Sequence, residues 1–271
     1  MLWESENRAE QCRILQIGTV DAGNGTLFGG DIVNDTYSIV EEIGSGGMGA
    51  ATIHAAVQKA RQNLESDFDN YTKFILVDSD WREIARMEKE QVEVLNISTP
   101  GASYRLRKEN RGDFFKKFVH PDYDVIKLGP NGSARDRVTG KIKFYDNAES
   151  GNTNDVKFRN IIQTIFNTDW SDKTNLRVDV MILAGLSGGN GSGTFEELAV
   201  HAREACRRAG ATEVRVFGYL FLPDTVEAFE RENLEALKSI YINGYSALKE
   251  LESYMSIPAS PGRGEEFYSR D

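Results

Sequence analysis

The sequence predicts an α/β fold, a mostly parallel sheet with helices on both faces, and three observations carry that expectation. Val180–Ala184 and Val214–Leu222 are apolar runs without polar alternation, as in strands buried on both faces and central to a parallel sheet. Apolar residues at helical spacing follow or separate the strand-like runs, so strand and helix alternate along the chain. In two places a strand passes into a helix through a cluster of glycines, a layout that lets backbone approach an anion at the positive end of the helix.

Composition narrows the function. The chain has 271 residues, 40% hydrophobic and 27% charged, enough for one large domain or two small ones. A net charge of −10 argues against a nucleic-acid binder, which needs a basic face. No run approaches the roughly 18 apolar residues of a membrane span. The first residues carry Glu4, Glu6 and Glu10 and no apolar core, so they do not read as a secretory signal. Two distant cysteines, Cys12 and Cys206, make neither a disulfide framework nor a zinc motif, and the chain reads as cytoplasmic. Cys206 falls on an apolar helix face, where packing is its ordinary role.

Taken in order, residues 1–36 read as an N-terminal extension or hairpin, with a short strand at Arg13–Gly18 and turn signals at Gly23–Gly25 and Gly29–Gly30. Tyr37–Ile43 is the next strand. It leads into Gly44, Ser45, Gly46, Gly47, Met48 and Gly49, then a helix from Ala50 towards Leu64 with Ile53, Ala56, Val57 and Ala60 on one face. Strand, glycine turn and helix in this order form the nucleotide or dinucleotide fingerprint. Phe74–Asp80 is a second strand ending in Asp78, Ser79 and Asp80. Those carboxylates suit either a ribose contact or the cap of a helix beginning at Trp81.

Glu93–Ser98 reads as a strand, Asp113–Val119 as a short helix, and Gly129–Arg135 as a turn-rich loop followed by Arg137 and Gly140. Val156–Asn167 has the pattern of an amphipathic helix. Gly188, Gly189, Gly191 and Gly193 follow the Val180–Ala184 strand, and Phe195, Leu198, Ala199, Ala202, Ala205 and Cys206 fall at helical spacing behind them. After Val214–Leu222 come Pro223 and a helical run through Leu251, with Glu227 and Arg231 spaced as a helical ion pair. Residues 257–271 look like a loose tail.

The run Ser187-Gly188-Gly189-Asn190-Gly191-Ser192-Gly193 resembles the signature loop of the tubulin/FtsZ superfamily, which wraps GTP phosphates. Asn190 stands where the family has threonine. Asparagine tolerates left-handed backbone and donates to oxygen, so the loop still forms. Gly44–Gly49 resembles the first glycine loop of FtsZ, and Asp78, Ser79 and Asp80 align with its Asn-Thr-Asp. Pro223, Glu227 and Arg231 reproduce the spacing of a strand-ending proline with the Glu and Arg that contact ribose and base-side groups. Asn243 begins Asn-Gly-Tyr-Ser-Ala-Leu-Lys-Glu-Leu, which is similar to a segment of the prokaryotic tubulin-like family and closer than FtsZ itself. It is a candidate for a ribose or guanine contact, and equally for a polar residue at a helix junction. Gly132 and Arg135 lie where that family senses the γ-phosphate.

The resemblance covers residues 37–256. It implies a Rossmann-like GTPase domain that binds GTP or GDP with Mg2+ and self-assembles into filaments when full length. It also implies that the second domain and the water-activating loop are missing, so GTP hydrolysis by this chain alone is not expected. Replacing Gly189 or Gly191 by a bulky residue is expected to abolish GTP binding while the far strands stay folded. Two alternatives stay open. One is an NAD(P)- or flavin-dependent oxidoreductase using Gly44–Gly49 and Asp78, though no catalytic constellation accompanies it. The other is a non-hydrolysing nucleotide-binding interaction module.

Overall fold

A computed structural model describes residues 14–17, 37–63, 72–90, 92–98, 132–148 and 176–256. The strands are β1 (Ile14–Ile17), β2 (Tyr37–Ser45), β3 (Thr72–Asp78), β4 (Glu93–Asn96), β5 (Leu176–Gly185) and β6 (Glu213–Phe221). The helices are α1 (Gly46–Asn63), α2 (Trp81–Lys89), α3 (Arg137–Ala148), α4 (Gly189–Arg208), α5 (Asp224–Glu230) and α6 (Leu234–Met255). The expected helices at Asp113–Val119 and Val156–Asn167, most of residues 1–36 and the tail from 257 lie outside the described residues.

The strands form one sheet in the order β1-β6-β5-β2-β3-β4. Strands β2 to β6 are mutually parallel, and β1 closes the β6 side antiparallel, with Ile14 opposite Phe221. The α/β class and the mostly parallel sheet are therefore as the alternating pattern required. From β2 the chain builds outward through β3 and β4, then returns to lay β5 on the other side of β2 and β6 beyond it. The β2/β5 boundary is the topological switch point of the sheet.

Alternation along each strand sorts the core into two layers. Ile75 and Val77 of β3 join Val178, Val180 and Ile182 of β5 on one face, covered by Leu198, Ala202 and Cys206 of α4. Phe74, Leu76 and Leu183 point the other way, onto Ile53 and Val57 of α1 and Ile84 and Met87 of α2. Cys206 is wholly buried in the first layer, as its place on the apolar face suggested. β5 is central, whereas β6 lies one strand from the edge and is half-buried along most of its length.

The two glycine turns differ from expectation in one respect. β2 runs through Ser45, and α1 begins at Gly46 rather than near Ala50; α4 likewise begins at Gly189. The glycines occupy the first helical turns, so they are set by how closely strands and helices meet. Arg137 and Gly140, expected after a loop, belong to α3. That helix packs on α4, and a Cβ on Gly140 would overlap the backbone of Gly189.

Candidate functional site

Both glycine turns leave the carboxyl ends of neighbouring strands, and the register pairs Ser45 of β2 with Ala184 of β5. Gly46 takes a left-handed φ of +68°, and a Cβ there would lie 2.9 Å from the amide nitrogen of Gly191. The Oγ of Ser45 lies 2.6 Å from Oγ1 of Thr194 in a buried hydrogen bond. The two turns that the sequence places far apart therefore form one surface.

Most of these glycines are demanded by packing. A Cβ on Gly49 would sit 2.6 Å from the Leu183 carbonyl oxygen, and one on Gly191 2.6 Å from that of Gly185. One on Gly189 would meet the Asp136 carbonyl oxygen and the Ser133 Cβ, each at 2.6 Å. Gly44 and Gly193 are closed in by Gly49 and by α3 respectively. Gly47 and Gly188 are the exceptions: a Cβ on either meets nothing within 4 Å. Gly188 is also the N-cap of α4, in extended conformation and with no side-chain cap bond. Serine or asparagine would serve better there if helix stability alone mattered.

The end of β3 closes one side. Asp78 is 1% exposed, and its Oδ1 accepts the backbone N–H groups of Ser79 at 2.6 Å and Asp80 at 3.0 Å. Burial pushes its pKa up to about 6, against the lowering effect of these bonds and of Asn190. Its Oδ2 is buried without a hydrogen-bond partner. Asp80 caps α2 by accepting from the Arg82 N–H at 2.9 Å, which is the capping role the sequence allowed.

Asn190 joins these residues to a third segment. Its Nδ2 donates to Asp78 Oδ1 and to Ser79 Oγ, and its Oδ1 accepts from the Ser133 hydroxyl. The side chain is 6% exposed and turned into the protein. Residues 132–136 form a tight turn in which Ala134 and Arg135 have φ of 48° and 60°. Two adjacent non-glycine residues in this region cost roughly 1–2 kcal/mol each, a strain that surrounding contacts must hold. Gly132 N–H donates to the Ser79 carbonyl at 3.0 Å, and wholly buried Lys143 of α3 donates from Nζ to the Gly132 carbonyl. Burial lowers the Lys143 pKa to about 8, with Asp78 opposing that shift. No spacing rule marked Ser133 or Lys143 in the sequence.

Asn243 of α6 donates from Nδ2 to the Arg135 carbonyl at 2.6 Å and the Ser187 carbonyl at 3.0 Å, so it fastens the signature turn to the 132–136 turn. Arg135 pairs with Glu230 of α5. Glu227 accepts from the Tyr241 hydroxyl at 2.7 Å, and Arg231 is exposed. Among the described residues no Glu227–Arg231 ion pair forms, and no hydrogen bond joins either residue to the glycine turns.

Behind the turns, α3, α4 and α6 share a buried charge cluster. Arg137 donates from Nε to the Ser192 carbonyl at 2.8 Å and also pairs with Glu250. Lys141 pairs with Glu250 and, at 2.9 Å, with Glu197. Glu196, 5% exposed, has a buried Oε1 without a partner, and burial with Glu250 and Glu197 nearby pushes its pKa up to about 8. The carboxylates of Glu196, Glu197 and Glu250 lie within 4.8 Å of one another, but the Lys141 ammonium takes the place a cation would fill.

A Rossmann-like α/β protein with paired glycine turns at its switch point is the class these features define. The model of a family described as tubulin like matches residues 42–268, and the chain belongs to that family. No curated protein matches it. No described helix is long and apolar enough to cross a membrane.

Proposed function

We propose that this tubulin-like protein binds a guanine nucleotide, GTP or GDP, in the space bordered by Gly47 and Gly188. The observation that carries this reading is the convergence of two glycine turns at the carboxyl ends of β2 and β5, of whose glycines Gly47 and Gly188 alone face open space. Ligands of open α/β sheets bind outside the carboxyl ends of strands at the switch point. The first turns of α1 and α4 begin there, and helix N-termini favour phosphate. The empty volume where two Cβ atoms would stand fits a phosphate chain lying against backbone.

In this reading Ser45, Gly46, Gly47 and Ser187–Gly193 form the phosphate cradle, and Gly132–Arg135 its far wall. Asp80, at the rim, is the carboxylate suited to a Mg2+ that reaches it through water, since Mg2+ keeps several waters and few protein ligands. Asp78 acts from behind, through its own backbone and Asn190. Its inward engagement speaks against the dinucleotide alternative, which needs that carboxylate free for ribose hydroxyls. Glu227, Arg231 and Asn243 are assigned to the ribose and base side. Guanine as the base, and assembly into filaments, rest on the family.

Calorimetric titration of the chain with GTP, GDP, ATP and NAD, with and without Mg2+, tests the reading. GTP and GDP should bind, and NAD should not. Binding of NAD in place of guanine nucleotides would overturn it. Sedimentation with and without GTP tests assembly, with pelleting on nucleotide addition expected.

A further inference from the structure

We propose that the buried carboxyl group of Glu196 is a regulatory proton site for the cradle and that Arg137 couples the two, so that nucleotide is held while Glu196 is protonated and released as it ionises. The inference rests on nucleotide binding at the glycine turns.

Behind the signature turn, three carboxylates face two cations. Glu196 and Glu197 come from α4, Glu250 from α6, and Lys141 and Arg137 from α3. Lys141 pairs with Glu197 and Glu250, and Arg137 pairs with Glu250. Among the described residues no cation pairs with Glu196, whose Oε1 is buried without a hydrogen-bond partner. Three negative charges against two positive ones in a buried cluster leave one carboxyl to be neutralised, and a proton does so. Glu196 is the group without a counter-charge, and burial with Glu250 and Glu197 beside it carries its pKa to about 8. Tyr145 of α3 also donates to Glu197, and Tyr254 of α6, with Arg203 near it, faces both glutamates of α4. The sheet meets α4 with Val180, Ile182 and Leu220, and α1 meets it at Gly46.

Arg137 belongs to both the cluster and the cradle. Its Nε donates to the Ser192 carbonyl at 2.8 Å, and the Ser192 hydroxyl donates to the Gly188 carbonyl at the open edge of the cradle. With Glu196 neutral, the guanidinium is divided between Glu250 and Ser192. Once Glu196 ionises, its carboxylate competes for that guanidinium and draws it off the Ser192 carbonyl. The new negative charge, farther along α4, also opposes a phosphate at the N-terminus of that helix. Both effects have the same sign. Affinity is therefore full well below pH 8 and falls as pH rises through about 8. By linkage, binding draws a proton from solvent onto those chains in which Glu196 is ionised.

The test measures the GDP affinity of the full chain from pH 7 to pH 9 for wild type and Glu196→Gln, whose amide has the shape of the protonated acid. Wild-type affinity should fall about tenfold more than that of the variant. Titration of the ligand, and of Lys143, which also titrates near pH 8, is common to both proteins and cancels in the comparison. Calorimetry at pH 8 in buffers of different ionisation enthalpy should show wild type taking up more proton per nucleotide bound than the variant. Hydrogen exchange without ligand, corrected for the intrinsic effect of pH, reads the part of Arg137. Between pH 7 and pH 9 the amides of residues 187–193 should lose more protection than those of β5 in wild type, and no more in Glu196→Gln. If Glu196→Gln fails to fold by circular dichroism, Glu196→Leu, uncharged and of similar size, takes its place. The same pH dependence in both proteins, equal proton uptake, or a 187–193 turn that loses no more protection than β5 would overturn the inference alone. A wild type that binds no guanine nucleotide at pH 7 would overturn the nucleotide reading, and this inference with it.

Discussion

Ser45 and Thr194 are 149 residues apart in the chain, yet their hydroxyls meet at 2.6 Å where neither residue is exposed. This bond joins the last residue of β2 to the second turn of α4, and so holds the two glycine turns in register. Thr194 Oγ1 also donates to the Asn190 carbonyl at 2.9 Å, which orders the donors: Thr194 gives its proton to backbone, and Ser45 gives its proton to Thr194.

Thr194→Val should therefore cost about 1–3 kcal/mol, because it strands the Ser45 hydroxyl in a dry site. Ser45→Ala should cost less, since Thr194 keeps its backbone acceptor. The double variant should lose less than the sum of the singles, as contacting partners do. Urea denaturation of the four proteins measures the coupling, and strict additivity would refute it.

The glycines separate into two kinds by experiment. Gly189→Ala drives a Cβ to 2.6 Å from Asp136 and Ser133 and should destabilise by roughly 2 kcal/mol or more. Loss of binding in that variant, or in a Gly191 variant, reports on folding first, contrary to the expectation that the far strands stay intact. Gly188→Ser meets nothing and adds a helix cap, so its stability should equal wild type or exceed it by a few tenths of a kcal/mol. Its nucleotide affinity should nevertheless drop about tenfold or more as the hydroxymethyl enters the cradle. Thermal melts beside calorimetry separate the two effects.

Glu196 makes a pH signature. Its folded pKa of about 8 stands above the ordinary value of 4.5, so between these pH values the folded state holds a proton that the unfolded chain releases. Its contribution to stability therefore declines as pH rises from about 4.5 to about 8, and the full cost persists above that. Glu196→Gln should match wild type at pH 4 and be more stable by on the order of 2 kcal/mol at pH 9. Melting temperatures across that range check the sign; a wild type that gains on the variant as pH rises would be inconsistent with it.

Asn243 offers a test of the helix-junction role. Asn243→Ala leaves the Arg135 and Ser187 carbonyls without this donor and should cost about 1–3 kcal/mol. Nucleotide binding should weaken as well, since Asn243 holds the two turns and is assigned to the ribose and base side, a loss read as a smaller ligand-induced rise in melting temperature than wild type shows.

Sequence alone determined the class of fold, because hydrophobic periodicity is a local property: β5 had to be buried on both faces and α4 to hide the face bearing Leu198, Ala202 and Cys206. It also located both glycine turns and the Asp78–Asp80 strand end. It misjudged where the helices begin at Gly46 and Gly189, because glycine lowers helix propensity and only contact with β5 and with the 132–136 turn shows why the first turns lack side chains. It gave no sign of α3, whose Val138, Thr139 and Gly140 disfavour a helix and whose Lys141 and Lys143 sit where apolar residues would be expected. Buried lysines are legible only once Glu197, Glu250 and the Gly132 carbonyl are in place around them. The same holds for Asn190, which as a sequence letter is a departure in a phosphate loop and in the folded chain is an amide between Asp78, Ser79 and Ser133. Which glycine faces a ligand and which faces backbone depends on distances between segments far apart in the chain, and those only the tertiary structure decided.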